Sequence, residues 1–296
     1  MKTKSAMITI AGRPNVGKST LTNYLVGEKI AIVSNKPQTT RNRICGIFTK
    51  GNTQFVFVDT PGYHRARTKL GDYMVNTVRE SIADVDATIL VVEPIASIGA
   101  QEESLIEKIK GSHCPAILAI NKIDTIEKDK LLEVIAAYSQ AATFDAIIPI
   151  SAKTGDGVEE LLKVCEKYAI EGPFLFDEDL TTDQPERQVM AEIIREKLLW
   201  CLEKEIPHGT AVEITKFSER DSGVIDIDAT IYCEKASHKG IIIGKQGAML
   251  KKISSMARQD CEKFMGTKVY LTTWVKVKEN WRDSDFLVRN FGYNDN

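Results

Sequence analysis

The chain has 296 residues, 43% of them apolar and 27% charged, with 39 Lys and Arg against 41 Asp and Glu. Such a composition excludes disorder as the main state, and the near balance of charge excludes a uniform field that would draw the whole chain onto nucleic acid or membrane. The length suggests one large domain or two ordinary ones, and the most apolar segments, 87–92 and 116–120, fall far short of a bilayer span.

The first nine residues carry two lysines but no long apolar stretch and no small-residue cleavage site, so no secretory signal is expected. Cysteines stand at 45, 114, 165, 201, 233 and 261. None forms a CxxC pair or lies in a histidine cluster, so they read as reduced, buried thiols of a cytosolic protein. Along the chain, a strand at Met7–Ala11 precedes a helix over 18–26. Two alternating segments, Ile44–Thr49 and Gln54–Asp59, flank the turn at 50–53 and predict a hairpin. Helices near 71–83, 101–110, 128–140 and 157–168 then alternate with strands at Ala87–Val92, Pro115–Ile120 and Ala146–Ile150. This alternation predicts a mostly parallel sheet covered on both faces. Residues 172–186, with two prolines and several acids, read as a linker. Beyond them a helix at 186–204, strands at Ala211–Lys216 and Gly223–Cys233, a Gly-punctuated turn, a helix at Ala248–Met265, a strand at Lys268–Lys276 and a short helical tail predict a smaller α+β module. Its charge is polarised: 173–234 holds 6 basic and 15 acidic residues, 235–278 holds 10 basic and 2 acidic.

Gly12-Arg13-Pro14-Asn15-Val16-Gly17-Lys18-Ser19, followed by Thr20, fits GxxxxGK[ST] between a strand and a helix, the context this phosphate loop requires. Backbone N–H groups and the helix N-terminus face the phosphates, Lys18 reaches the β- and γ-phosphates, and Ser19 offers a hydroxyl to Mg²⁺. Asp59-Thr60-Pro61-Gly62 ends a strand: Asp59 is placed to hold Mg²⁺ through water, and Gly62 to bring a backbone N–H to the γ-phosphate. Asn121-Lys122-Ile123-Asp124 follows another strand. The Asp124 carboxylate matches guanine N1–H and N2–H₂, Asn121 can pair with the base and brace the phosphate loop, and the Lys122 stem can cover the ring. Ser151-Ala152-Lys153 follows the next strand, with the Ala152 N–H facing guanine O6. The ligand is therefore expected to be GTP or GDP with Mg²⁺, held at the carboxyl ends of the strands.

The order of these four loops resembles the translation-factor-related branch of P-loop GTPases. That resemblance implies a switch threonine for Mg²⁺ and the γ-phosphate. Thr40, before Arg41, matches the position best, with Thr39 as the alternative. Tyr63 stands where many GTPases carry a water-orienting Gln, and a phenol lacks the amide's paired donor and acceptor, so intrinsic hydrolysis is expected to be slow. Asn15 resembles the residue of potassium-activated members that helps hold K⁺ beside the phosphates; a plain loop turn is the alternative. His64, Arg65 and Arg67 read as a solvated second switch. In the second module Gly244-Lys245-Gln246-Gly247 lies in the basic stretch before a basic helix, and resembles the GxxG loop of a KH domain, which clamps an RNA backbone. Lys239, Lys251 and Lys252 flank it.

A GTPase domain followed by a type II KH domain resembles the Era family over nearly the whole chain. The resemblance includes PQTTR, DTPGYH, DQPERQ with 191–197 after it, and the tail Leu287–Tyr293. It implies an α/β GTPase domain with a mostly parallel six-stranded sheet over 1–172, a linker over 173–186 and the KH domain with its tail over 187–296. It further implies binding to the 3′ end of small-subunit rRNA, a role in maturing the 30S ribosomal subunit, action as a monomer, and cytoplasmic location with peripheral contact to the inner membrane. A membrane-surface GTP switch and a P-loop small-molecule kinase are the rival readings; the second leaves the guanine-reading NKxD motif unexplained.

Overall fold

A computed structural model describes residues 2–63, 68–83 and 85–293. His64, Arg65 and Arg67 lie outside the described residues. Two compact units are distinguished: the first comprises 1–31, 40–66 and 74–183, the second 32–39, 67–73 and 184–296.

In the first unit β1 (Lys4–Ala11) leads through a loop to α1 (Lys18–Val26), and the hairpin of β2 (Ile44–Lys50) and β3 (Thr53–Asp59) follows. Then α2 (Lys69–Ala83), β4 (Ala87–Val92), α3 (Ala100–Ser112), β5 (Ala116–Ile120), α4 (Lys128–Ala141), β6 (Ala146–Pro149) and α5 (Val158–Cys165) alternate to β7 (Ile170–Glu171). The strands run in the order β2-β3-β1-β4-β5-β6, parallel except for β2 against β3. All residues of β4 and β5 are buried, as expected of central parallel strands covered on both faces. Their side chains alternate between two layers. Ile89 and Val91 pack with Leu21, Leu25 and Leu161 of α1 and α5, and Leu90 and Val92 pack with Val78, Leu105 and Val134 of α2, α3 and α4. The six-stranded expectation gains a seventh strand: β4 pairs with β1 only from Ile8 onward, and two-residue β7 lies antiparallel along Lys4 and Ser5.

Residues 173–183, expected as part of a linker, lie along the hairpin. Gln54 Oε1 accepts from the backbone N–H groups of Leu175 (2.9 Å) and Phe176 (3.0 Å), the Ile47 N–H donates to Thr181 O (2.9 Å), and the Cys45 N–H to Asp183 Oδ1 (3.0 Å). The segment thus occupies hydrogen-bonding groups of edge strand β2 that a bare edge would expose to other chains.

The second unit opens with α6 (Glu186–Cys201). A three-stranded sheet follows from β8 (Ala211–Glu219), β9 (Ile225–Cys233) and β10 (Val269–Val277), in the order β10-β9-β8, with β10 parallel and β8 antiparallel to β9. Between β9 and β10 lie α7 (Ala236–Ile243) and α8 (Ala248–Met265); α7 occupies the stretch read in chain order as a Gly-punctuated turn. Val189, Ile193 and Leu198 of α6 join Ile227, Ile231, Ile253 and Ala257 in one core. The tail holds α9 (Asp285–Asn290) and the buried Trp281, whose Nε1–H donates to Gly209 O (2.9 Å).

Candidate functional site

The phosphate loop runs from the end of β1 into α1. Gly17 has φ +99°, a left-handed conformation in which a side chain is strained, and a Cβ there would overlap Asn121 Nδ2. The Lys18 amine is buried and donates to the carbonyls of Gly12 (3.1 Å) and Arg13 (3.0 Å). Desolvation lowers its pKa to about 8 against the opposing pull of Asp59. An amine held so close to discharge gains from anionic phosphate.

Around it three sequence-predicted metal ligands converge. Ser19 Oγ lies 2.8 Å from Thr40 Oγ1 and donates to Asp59 Oδ2 at 2.7 Å. Burial pushes the Asp59 carboxyl up to about 6, although Lys18 and the two hydroxyls oppose the shift. Its second oxygen, Oδ1, is buried with no hydrogen-bond partner. Two hydroxyls around a buried, half-satisfied carboxylate fit a hard divalent cation such as Mg²⁺, which takes oxygen ligands and keeps several waters. Thr39, the rival to Thr40, turns its hydroxyl to Lys36 O (2.6 Å). Gly62 packs on the phosphate loop, where a Cβ would stand 2.7 Å from Pro14 Cα; Thr60 Oγ1 donates to Ile10 O (2.9 Å), and Pro61 is buried between them in sequence. The Tyr63 backbone N–H donates to Gly12 O (3.1 Å), while its phenol meets Ser104 Oγ (3.3 Å) and Lys108 Nζ on α3. The hydrogen bond from Lys108 lowers the phenol's pKa.

The base loops are cross-braced. Asn121, 2% exposed, donates through Nδ2 to Val16 O (2.8 Å) and accepts at Oδ1 from the Ala152 N–H (2.9 Å). The Ala152 N–H, expected to face guanine O6, donates in this structure to Asn121 Oδ1, a buried acceptor. Asp124 Oδ1 accepts from Ser151 Oγ (2.8 Å), which aligns the carboxylate. Lys122 Nζ donates to Asn15 O (2.7 Å) and to Glu93 Oε1 (2.5 Å), and Lys153 is exposed. Asn15 has φ +66°. Sequence reading missed Glu93 and Glu102: Arg13 pairs with both, so its side chain is committed to structure beside the loop. An acid directly after a buried strand, Val92-Glu93, was the available signal.

In the second unit the 244–247 loop joins α7 to α8. Gly244 (φ +73°) and Gly247 (φ +79°) take positive φ, and a Cβ on Gly244 would lie 2.7 Å from Met249 Cβ. Lys245, Lys251 and Lys252 are exposed and Lys239 half-buried. Both N–H groups of a helix N-terminus and lysines thus border one glycine loop, an arrangement suited to phosphate. All six cysteines are free thiols, and among the described residues no His/Cys/Asp/Glu group could hold a metal by itself.

Residues 7–122 match the family model described as a 50S ribosome-binding GTPase, and residues 205–282 match the KH domain model. GTPase Era of Ruminiclostridium cellulolyticum is 53% identical over 296 residues, covering 100% of this chain and 99% of the relative. GTPase Era of Clostridioides difficile is 50% identical over 294 residues, covering 99% of each. A crystal structure of Era in complex with MgGDPNP and nucleotides 1506–1542 of 16S ribosomal RNA superposes with a TM-score of 0.95 at 38% identity, covering 98% of this chain and 99% of the other. A tyrosine-to-alanine variant of Aquifex aeolicus Era bound to GDP and AlF4⁻ gives 0.94 at 37% identity with the same coverage. With half or more of its residues shared end to end with the Ruminiclostridium and Clostridioides proteins, the chain belongs to the Era family of GTPases and hydrolyses GTP.

Proposed function

We propose that this GTPase binds the 3′ segment of small-subunit ribosomal RNA through the 244–247 loop and acts as a switch in 30S subunit assembly. The observation that carries the reading is the loop itself: two positive-φ glycines, an exposed Lys245 and the N-terminus of α8 together, in a fold that superposes on an Era–rRNA complex. We assign the GTPase domain to 1–172, the connecting segment to 173–186, of which 173–183 lies along β2, and the KH domain to 187–296. The chain works as a monomer in the cytoplasm, with peripheral contact to the inner membrane; among the described residues no helix is long and apolar enough to cross a bilayer.

In the GTPase domain, Lys18 turns from the loop carbonyls to the β- and γ-phosphates, and Asp124 with Asn121 selects guanine. Ser19 and Thr40 hold Mg²⁺ directly and Asp59 through water. Bound there, the metal supplies positive charge to the phosphate oxygens. The Gly62 N–H meets the γ-phosphate, so loss of that phosphate frees the loops that carry Thr40 and Gly62. Asn15 helps hold K⁺ beside the phosphates, where an arginine finger acts in other GTPases.

The test is binding of a labelled RNA corresponding to nucleotides 1506–1542, by anisotropy, to Lys245→Glu combined with Gly247→Asp. Gly244 is left intact, since its Cβ would press on α8 and confound binding with folding. One phosphate contact is reversed in sign and a carboxylate is added at the second position, so affinity falls by about tenfold or more at physiological salt, whereas GTP affinity is unchanged. Normal RNA binding by the folded variant would falsify the assignment. Flotation with anionic vesicles then decides whether the basic stretch meets lipid or is a solvated face.

A further inference from the structure

The 244–247 loop and its flanking lysines use four of the ten basic residues in 235–278, and strand β10 carries others on a face of its own. Val269 and Val275 are buried in one core with Ile253 and Ala257 of α8, and Leu271 and Val277 pack against it. Alternation along the strand sends Tyr270, Thr272, Trp274 and Lys276 to the other side of the sheet. The ladder to β9 runs one residue further at each end, through Lys268 O and the Lys278 N–H, so Lys268 and Lys278 join the same row. Members of the row stand roughly 6.6 Å apart. Tyr270 and Trp274 are each 59% exposed, the three lysines are exposed, and the row holds no acid.

Other rings on this side of the sheet are covered. Tyr232 of β9, across from Lys276, meets Phe291 of the tail at 4.7 Å between ring centroids, and Phe291 in turn meets the buried Trp281 at 5.3 Å. Tyr270 and Trp274 lie on the edge strand and stay open to solvent. Asp226, across from Tyr270, is neutralised by Arg220 (2.5 Å) and Lys216 (3.4 Å), and the Arg220 guanidinium lies 5.3 Å from the Tyr270 ring centroid. Asp228, across from Thr272, remains on the second strand, where a carboxylate repels phosphate but accepts from a base amino group. We propose that this row is a second RNA-binding surface of the module: unpaired bases stack on Trp274 and on Tyr270 with Arg220, and their phosphates follow Lys268, Lys276 and Lys278 along the edge. Aromatics interleaved with cations on an open strand face form a stacking platform that holds single-stranded RNA without demanding a sequence. The proposal rests on the RNA reading above and deepens it. A GxxG loop clamps about four nucleotides, and the segment in that reading is many times longer.

The test measures anisotropy of the labelled 1506–1542 RNA on the full chain, beside the 244–247 loop variant. Tyr270→Thr with Trp274→Thr keeps β-branched strand formers at two exposed sites, so the module folds. Each lost stack lowers RNA affinity by about tenfold, and the double variant by about 100-fold, with GTP affinity unchanged. Lys268→Gln, Lys276→Gln and Lys278→Gln together flatten the slope of log affinity against log salt by about 2, at roughly 0.7 per lysine. That variant decides alone if the aromatic one does not fold. Stacking is read directly in a Trp200→Phe background, where Trp274 and the buried Trp281 are the remaining tryptophans. RNA quenches the fluorescence there, and Trp274→Thr removes the quench. Full affinity, an unchanged salt slope and an unquenched Trp274 overturn the proposal and assign the row to a protein or lipid contact. If the loop variant loses RNA in that same assay, the reading above stands without this surface. Wild-type protein that fails to bind the RNA overturns both.

Discussion

Asn121→Ala removes the brace between the phosphate loop and the base loop. Asn121 bridges the phosphate loop at Val16 O and the base loop at the Ala152 N–H, both in buried surroundings. Truncation leaves an acceptor and a donor without partners. Each such loss costs about 1–3 kcal/mol, together about 2–6 kcal/mol. Without nucleotide both loops can relax toward water, so the penalty is charged mainly to the bound state. At 1.4 kcal/mol per decade this amounts to a loss of affinity of roughly 30-fold to 10⁴-fold, equal for GDP and GTP. Stopped-flow binding and displacement of a fluorescent guanine nucleotide reads it, and most of the change falls in the off-rate. Gly17→Ala is the cross-check: it keeps Asn121 but sets a Cβ against Nδ2 in a strained backbone, and so reproduces the defect. Near-normal GDP affinity in the folded Asn121→Ala protein refutes the brace. A loss confined to GTP moves its role to the γ-phosphate.

Two further outcomes follow from the same geometry. Exchanging K⁺ for Na⁺ at fixed ionic strength slows GTP hydrolysis without changing GTP affinity, and Asn15→Ala abolishes the difference between the salts; equal wild-type rates in both remove the monovalent ion from the mechanism. Burial pushes the thiols of Cys45 and Cys165 up to about 12 from an ordinary 9. They stay protonated in the folded chain where the unfolded chain ionises, so stability is full below about pH 9 and falls between pH 9 and 12. Urea melts across that range check the fall, and iodoacetamide at pH 8 labels these two cysteines only once urea has opened the fold; rapid labelling of the native chain contradicts their burial.

The nucleotide loops were readable because each is a local demand: a helix N-terminus needs Gly where phosphate approaches, and a carboxylate must stand a fixed number of residues past a strand. The strands were readable for the same reason, since β5 is continuously apolar and β4 is interrupted only by Thr88. What is satisfied over long range was not readable. Val16 lies 105 residues from Asn121, and a backbone carbonyl accepts from any donor, so no residue type at position 16 marks the brace. The Ala152–Asn121 contact was hidden for the same reason, since the two residues are neighbours only in space. The docking of 173–183 along β2 was hidden likewise. A Pro- and acid-rich composition reads as linker whether or not the backbone finds an edge strand to cover.

The sharpest case is Arg195-Glu196-Lys197. Three consecutive charges on a helix point in directions about 100° apart, so they cannot share one solvated face. Around them Val189, Ile193, Ile194 and Leu198 carry the apolar spacing of a core-facing helix. Two readings of that pattern compete: a helix with one wet face that tolerates a stray charge, or a helix covered on several sides whose charges each find a separate partner. The structure takes the second course, with Glu192 and the Thr39 carbonyl for Arg195, the Val33 N–H and Lys197 for Glu196, and Asp260 for Lys197. Burying three charges without such partners is prohibitive, whereas with them the helix is locked in rotation as well as position. An apolar replacement of matching volume has no donor for the Thr39 carbonyl. The cost of retaining these charges is offset by the partners they find on 33–39 and α8, which fix the register of that segment on α6.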